Sequence, residues 1–337
     1  MRLHVVAIAA FAILHPGWAD AAKFDAGAVN TAGFNAKVAK RLDPALVKAQ
    51  ILLDRAGYSP GEIDGHDGDN FAKALAAFQA DHGLPDNGIL DQASWDSLVG
   101  SNSEPAITDY EIAKSDVKGP FRKRIPAKLE AMAHLRRLAY RNATEGLAEK
   151  FHMSPDLLKA LNPGERFKAS GHHIATAAVP QPDFKQPKSE GPKAARIEVD
   201  KDKLTVRAFD ATGKLVGFFP ASVGSEDKPA PSGTLLVDAV NFKPSYTYNP
   251  KYKFKGVRAT KPFTIAAGPN NPVGVVWIGL NEEGYGIHGT PDPANISKRY
   301  SHGCVRLTNW DALMLASMVS KGVPVDFIGN GPLQAKK

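Results

Sequence analysis

The chain has 337 residues, 43% of them hydrophobic and 23% charged, with a net charge of +7 and a pI near 9.2. This composition excludes a disordered or fibrous chain and supports two or three domains, each with its own core. The positive balance favours acidic partners, yet the longest basic run is Arg122-Lys-Arg124 and no helix carries a basic stripe with base-reading side chains, so nucleic acid is not an expected partner.

Met1-Arg-Leu-His4 is a short positive start, Val5 to Leu14 is unbroken apolar sequence, and Pro16-Gly-Trp-Ala19 offers small residues with a cleavage point before Asp20. Residues 1–19 therefore read as a secretory signal peptide, too short to span a membrane. No cysteine follows the run and no other stretch approaches about 18 apolar residues. The mature protein is expected to be exported, periplasmic or cell-wall associated, with no integral membrane segment. In an oxidising compartment cysteines usually pair, so the single Cys304 is expected to do chemistry.

Residues 24–40 read as an irregular lead-in. Asp43-Pro44 is a helix cap and start, followed by Leu46, Val47, Gln50 and Leu53 at helical spacing, with Gly57 as the stop. Ile63-Asp-Gly65 turns, and Asn70 caps a second helix with Phe71, Ala74, Leu75 and Phe78 on one face, closed by Gly83-Leu84. Asp86-Asn-Gly88 turns again, and Asp91 caps a short helix carrying Trp95 and Leu98. This three-helix pattern over 40–100, with Gly57-Tyr58, Ile63-Asp64-Gly65, Phe78-Gln79 and Gly83-Leu84, resembles the three-helix peptidoglycan-binding domains, which implies peptidoglycan as a partner.

Residues 101–138 read as a polar linker with Pro105, Gly119 and Pro120, then a helix from about Ile125 to Leu138. Within 139–180, Ser154-Pro155 starts a helix burying Leu157, Leu158 and Leu161, Asn162-Pro-Gly164 turns, and Ile174 to Val179 is a short strand. That order resembles a LysM module, which implies a second glycan-binding unit. Pro180, Pro182, Pro187 and Pro192 make 181–194 an interdomain linker.

From 195 to 329 the texture is that of strands: Ile197 to Asp200, Leu204 to Phe209, Leu215 to Val223, Leu235 to Val240, Phe263 to Ile265, Val273 to Leu280 and Val323 to Ile328. One helix, capped by Thr308 or Asn309 and ended by Lys321-Gly322, places Trp310, Leu313, Met314, Ser317 and Met318 on a core face. Residues 330–337 form a tail. The fold class is multidomain α+β: a small helical N-terminal domain, a LysM-like middle segment, and a mostly β sandwich with one main helix after the cysteine.

The chemistry concentrates in Gly286-Ile-His-Gly-Thr290 and Ser301-His-Gly-Cys-Val-Arg306. A thiol with a pKa of about 8.5 needs a base to become a nucleophile. His288, on a separate segment, is the better base; His302, two residues before Cys304, is a site-shaping donor or second-choice base. Gly303 lets its own N–H and that of Cys304 approach a developing oxyanion, and the Gly289 carbonyl can orient the imidazole. Arg306 either clamps a substrate carboxylate or forms a structural ion pair. His302-x-Cys304 is not a zinc spacing and no CxxC or HExxH accompanies it, so neither metal nor cofactor is expected.

Ile287-His-Gly-Thr290 and Ser301-His-Gly-Cys-Val-Arg-Leu-Thr-Asn309, supported by Ser222-Val-Gly224, Pro231-Ser-Gly233-Thr234, Asn271-Pro-Val-Gly274 and Trp277-Ile278-Gly279, resemble the active-site signature of the L,D-transpeptidase family with its YkuD-type catalytic domain. Ala230 stands where threonine is common, and Ser297 where glycine is frequent. The resemblance implies that Cys304 attacks the diaminoacid–D-Ala bond of a tetrapeptide stem and that the resulting thioester passes to an amine, giving 3→3 cross-links. It implies His288 as base, Gly303 and Cys304 as oxyanion donors, Ser301, His302 and Arg306 around the substrate, and carbapenem-type β-lactams as inhibitors. An L,D-carboxypeptidase, a protein-to-wall attachment enzyme and a wall-binding protein without turnover are the alternatives.

Overall fold

The structure is a computed structural model that describes residues 24–36, 42–181, 191–224, 229–252, 256–298 and 303–331. The expected signal peptide, most of the 181–194 linker, most of the tail, and Ser301 and His302 lie outside the described residues.

The N-terminal unit holds α1 (Ala26–Asn30), α2 (Pro44–Arg55), α3 (Asp69–Asp81) and α4 (Gln92–Gly100). Asp43 caps α2 through Ala45 N–H at 2.8 Å, and Asp91 caps α4 through Ser94 N–H at 2.8 Å. The α3 cap is Gly68 rather than Asn70, whose side chain donates instead to the Ile296 carbonyl at 3.2 Å. The 24–40 lead-in is not wholly irregular, since Asp25 caps α1 and Val29 is buried. Gly88 has a positive φ, and a Cβ there would lie 2.6 Å from the Ala72 carbonyl oxygen, so only glycine fits that turn.

The middle unit comprises β1 (Ile107–Glu111), α5 (Lys114–Lys118), α6 (Leu129–Met132), α7 (Ala143–Lys150), α8 (Pro155–Leu161) and β2 (His173–Ala177). β1 pairs antiparallel with β2 across the intervening helices, so the stretch expected as linker supplies the unit's first strand. The helix expected to reach Leu138 is a single turn, because the backbone beyond it bonds to the C-terminal domain. Leu138 N–H donates to the Ala267 carbonyl at 3.2 Å, and Asn270 N–H to the Leu138 carbonyl at 2.9 Å.

The C-terminal domain contains β3 (Arg196–Asp200), β4 (Thr205–Phe209), β5 (Leu215–Pro220), β6 (Ser222–Val223), β7 (Gly233–Phe242), β8 (Tyr246–Tyr248), β9 (Phe263–Ile265), β10 (Val276–Leu280), β11 (Gly286–His288), β12 (Val305–Arg306), α9 (Asn309–Met318) and β13 (Pro324–Ile328). The main sheet runs β5-β4-β3-β13-β7-β10-β11-β12-β6, and β8 and β9 form a separate hairpin-like pair. β7 joins the two halves: its first residues pair with β13 and its last with β10. Ile197, Val199, Val276, Ile278, Ile287, Leu307 and Leu315 are among the core residues that fill the space between sheet and α9. Thr308 caps α9 through Asp311 N–H at 3.1 Å. The helix is covered on more sides than one stripe predicts: Ala312, Leu315 and Ala316 are buried, while Met314 and Ser317 are only half-buried.

The units share cores. Val47 and Ile51 of α2 pack with Leu147, Leu157 and Leu158 of the middle unit, and Phe218 of β5 packs among Leu53, Tyr58, Leu75 and Phe78 of the N-terminal unit. Ser59 N–H donates to the Phe218 carbonyl and Phe218 N–H to the Gly57 carbonyl, both at 2.9 Å. Truncating Phe218 to Ala should cost about 3–5 kcal/mol. Calorimetry should show one cooperative transition moving to lower temperature; two transitions of which only one shifts would contradict the shared-core arrangement.

Candidate active site

β11 delivers His288 between two neighbours. On one side it pairs antiparallel with β10, placing Trp277 opposite His288; on the other it pairs parallel with β12, placing Arg306 beside it. The Trp277 and His288 rings stack with centroids 5.5 Å apart and planes 16° apart. Gly286 makes room for the indole, since a Cβ there would lie 2.6 Å from Trp277 Cζ2.

The His288 ring is 4% exposed, and its Nδ1 bonds the Gly289 carbonyl at 2.7 Å. A carbonyl only accepts, so Nδ1 carries the proton and Nε2 keeps its lone pair. Burial, and then the adjacent Arg306 guanidinium, lower the His288 pKa to about 3, partly opposed by the Gly289 bond. The imidazole is therefore neutral at physiological pH.

The turn bearing Gly289 is held from below. A Cβ on Gly289 would lie 2.2 Å from Asn309 Oδ1, and one on Gly274 would lie 2.1 Å from the same atom. Asn309 Oδ1 accepts from Val275 N–H at 3.2 Å, while its Nδ2 donates to the Pro269 carbonyl at 3.2 Å and to Glu149 Oε1 at 3.0 Å. Glu149 comes from α7 in the middle unit and also accepts from Tyr140 Oη at 2.8 Å. Burial raises its carboxyl pKa to about 7, although both hydrogen bonds favour the ionised form.

Cys304 precedes β12 and is half-buried, its Sγ donating to the Gly284 carbonyl at 3.5 Å. Its carbonyl accepts from Gly224 N–H at 3.4 Å. Gly303 is buried with φ +99, a conformation that favours glycine. The charges of Arg306 and Cys304 interact favourably, and burial lowers the Arg306 pKa from its ordinary value. Ser297, at the position where the family often has glycine, has φ +63; its N–H donates to Ser222 Oγ and its Oγ to the Ala221 carbonyl, both at 3.1 Å, which holds the turn.

Cys304, His288 and Arg306 open onto one cleft of about 940 Å³, also lined by Trp277, Tyr246 and Asp292. Part of its wall comes from outside the C-terminal domain: Ala127, Lys128, Leu129 and Met132 of the segment around α6. Sequence reasoning brought Cys304, His288 and Arg306 to one place but did not find the supporting roles of Asn309, Glu149 or the α6 wall. Asn309 carries a helix-cap signal and closes the cysteine motif, neither of which marks it as the support of the Gly289 turn, and nothing in the sequence around Glu149 points across to another domain. His302 and Ser301 lie outside the described residues.

Residues 194–326 match the L,D-transpeptidase catalytic domain, and residues 43–98 match a putative peptidoglycan-binding domain. A putative L,D-transpeptidase YkuD from Bacillus licheniformis is 29% identical over 181 residues, 54% of this chain and 90% of that protein. A probable L,D-transpeptidase YbiS from Escherichia coli is 34% identical over 135 residues, 39% of this chain and 44% of that protein. A solved L,D-transpeptidase from Xylanimonas cellulosilytica aligns with TM-score 0.36 and 15% identity, covering 88% of this chain and all of that one, 100%.

The low His288 pKa has a measurable consequence. In the unfolded chain the ring titrates near 6.5, so between about pH 6.5 and 3 the unfolded state binds more protons and stability falls as pH drops. A nuclear magnetic resonance titration of Cys304→Ala should find the His288 ring still neutral at about pH 5; a midpoint near 6.5 would contradict the buried, carbonyl-held ring. A neutral imidazole and a thiol thus share one cleft inside the stretch, 194–326, that matches the L,D-transpeptidase catalytic domain, and the match to a putative peptidoglycan-binding domain, 43–98, precedes it in the chain.

Proposed function

We propose that the protein is an exported peptidoglycan L,D-transpeptidase that forms 3→3 cross-links through a Cys304 thioester. The observation that carries this reading is the neutral His288, Nδ1 fixed on Gly289, opening onto the same cleft as the half-buried thiol. In the first half-reaction the Cys304 proton passes to His288 Nε2, and the thiolate attacks the carbonyl carbon of the diaminoacid–D-Ala bond. Negative charge on the tetrahedral oxygen is met by the N–H groups of Gly303 and Cys304, and Arg306 offsets the thiolate charge. The C–N bond breaks, His288 returns its proton to the departing D-Ala amine, and a thioester remains.

In the second half-reaction the side-chain amine of another stem's diaminoacid gives its proton to His288 and attacks the thioester. The C–S bond breaks and the cysteine is regenerated. The thioester conserves the energy of the cleaved amide, which suits a compartment without ATP. The helical unit at 43–98 would hold the enzyme on the wall, and the middle unit would add glycan contact. Carbapenem-type β-lactams, which carry a strained amide, would acylate the same Sγ.

Incubation with a disaccharide-tetrapeptide tests the reading. Cross-linked dimers are expected from the intact chain, and Cys304→Ala should lose turnover by at least about 10³-fold while still sedimenting with insoluble wall. Tripeptide products alone would make it an L,D-carboxypeptidase, and wall sedimentation without any turnover would make it a binding protein.

A further inference from the structure

The positive charge of the chain is not spread evenly. Between 122 and 137 the sequence carries Arg122, Lys123, Arg124, Lys128, Arg136 and Arg137 against a single acid, Glu130. All of these cations are exposed. Residues 243–261 contain no acid, and Lys243, Lys251, Arg258 and Lys261 within them are exposed as well. Of the cations in the two segments, only Lys251 makes an ion pair among the described residues, with Glu283.

The two segments meet at the catalytic cleft. Residues 122–140 leave the middle unit as an arm closed at its base, where Arg122 N–H donates to the Tyr140 carbonyl at 2.8 Å. The tip, α6, packs on β9, and Glu130 Oε1 accepts from Arg258 N–H at 2.9 Å. Glu130 Oε2 is buried, so the one acid of the arm anchors it rather than facing the cleft. Lys128, Leu129 and Met132 of the arm and Tyr246 and Val257 of the second segment line the cleft. The charged groups on the cleft wall are Lys128, Asp292 and Arg306. Arg306 interacts favourably with Cys304 and Asp292. The Lys128 ammonium feels the charge of Glu130, but that carboxylate is held in the anchoring contact.

An exposed rim of like charges repels itself and adds nothing to the fold. It does set up a positive field at the mouth of the cleft, which draws in anions and orients them. We propose that the 122–137 arm, together with the basic 243–261 segment, is a recognition surface for carboxylate-rich stem peptides, and that Lys128 is its specificity-determining residue inside the cleft. The proposal rests on the transpeptidase reading and names the form of stem selected, one whose carboxylates are free rather than amidated. The terminal D-Ala carboxylate gives every stem one negative charge, and each further free carboxylate adds another. Lys128 lies outside residues 194–326, so this selectivity belongs to the middle unit and not to the stretch that matches the catalytic domain.

The test compares two soluble disaccharide-tetrapeptides, one with free side carboxylates and one with those carboxylates amidated. The full chain turns each over at about 0.025 and 0.25 M NaCl, a range in which the screening length falls about threefold. For the free-carboxylate stem KM should rise about 3- to 10-fold with salt, and for the amidated stem by less. Lys128→Gln should raise KM for the free-carboxylate stem about 5- to 10-fold, more than it lowers kcat, and Lys128→Arg should restore it. The charge reversal Arg124→Glu/Arg136→Glu, at exposed positions that do not line the cleft, should raise the same KM and flatten its salt dependence.

Equal KM for the two stems at both salt concentrations, a Lys128→Gln variant as selective as the wild type, or a charge reversal that leaves the salt dependence intact overturns the proposal. So does a Lys128→Gln loss in kcat alone, which would make Lys128 a structural residue. Binding of a fluorescently labelled free-carboxylate stem to Cys304→Ala, read by anisotropy over the same salt range, keeps the two readings apart. Salt-dependent binding that weakens in Cys304→Ala/Lys128→Gln, with no turnover by the intact chain, sinks only the transpeptidase reading. Turnover with neither salt dependence nor carboxylate preference sinks only the recognition surface.

Discussion

The hydrogen bond from His288 Nδ1 to the Gly289 carbonyl, 2.7 Å long, sets the tautomer on which the proposed chemistry depends. It requires the Gly289 turn to stay in place, and that turn is packed so tightly on Asn309 that neither Gly289 nor Gly274 can carry a side chain. Asn309 is in turn fixed by three hydrogen bonds to Val275, Pro269 and Glu149. Trp277 covers the ring, and Arg306 sits beside it, so the imidazole is dry and disfavours a positive charge. The Arg306 guanidinium opposes a positive charge on His288 and interacts favourably with a charge on Cys304.

This arrangement makes the modules interdependent. Glu149 belongs to the middle unit yet holds Asn309 of the catalytic helix. Trp310 and Asp311, the next two residues of that helix, face the other units: Trp310 stacks on His152, and the buried Asp311 carboxyl, its pKa raised to about 7 chiefly by desolvation, is hydrogen-bonded by Ser59. Leu129 and Met132 of α6, in the middle unit, line the cleft. The N-terminal and middle units are thus packed into the C-terminal domain around the candidate site rather than tethered beside it.

Much of this was legible in the sequence because local chemistry decided it. Asp43, Asp91, Ser154 and Thr308 cap the helices their side chains announce, and the alternating runs from Arg196 onward became β3, β4 and β5. The cysteine motif brought Cys304, His288 and Arg306 together. What sequence missed is non-local. β1 looks like linker because Thr108, Asp109 and Glu111 are exposed and its order comes from pairing with β2. The helix expected to reach Leu138 stops early because that backbone finds better partners at Ala267 and Asn270. Glu149 and Asn309 are 160 residues apart, and no pattern within either segment links them.

The central claim is that Cys304 becomes the acyl carrier. Rapid mixing of the enzyme with a tetrapeptide donor in the absence of amine acceptor, followed by acid quench and intact mass analysis, tests it most directly. The account predicts a covalent tripeptide adduct that proteolytic mapping places on Cys304, with stoichiometric release of D-Ala and discharge of the adduct when an amine is added. D-Ala released with no adduct on Cys304 at any time point, or an adduct on another residue, would contradict it.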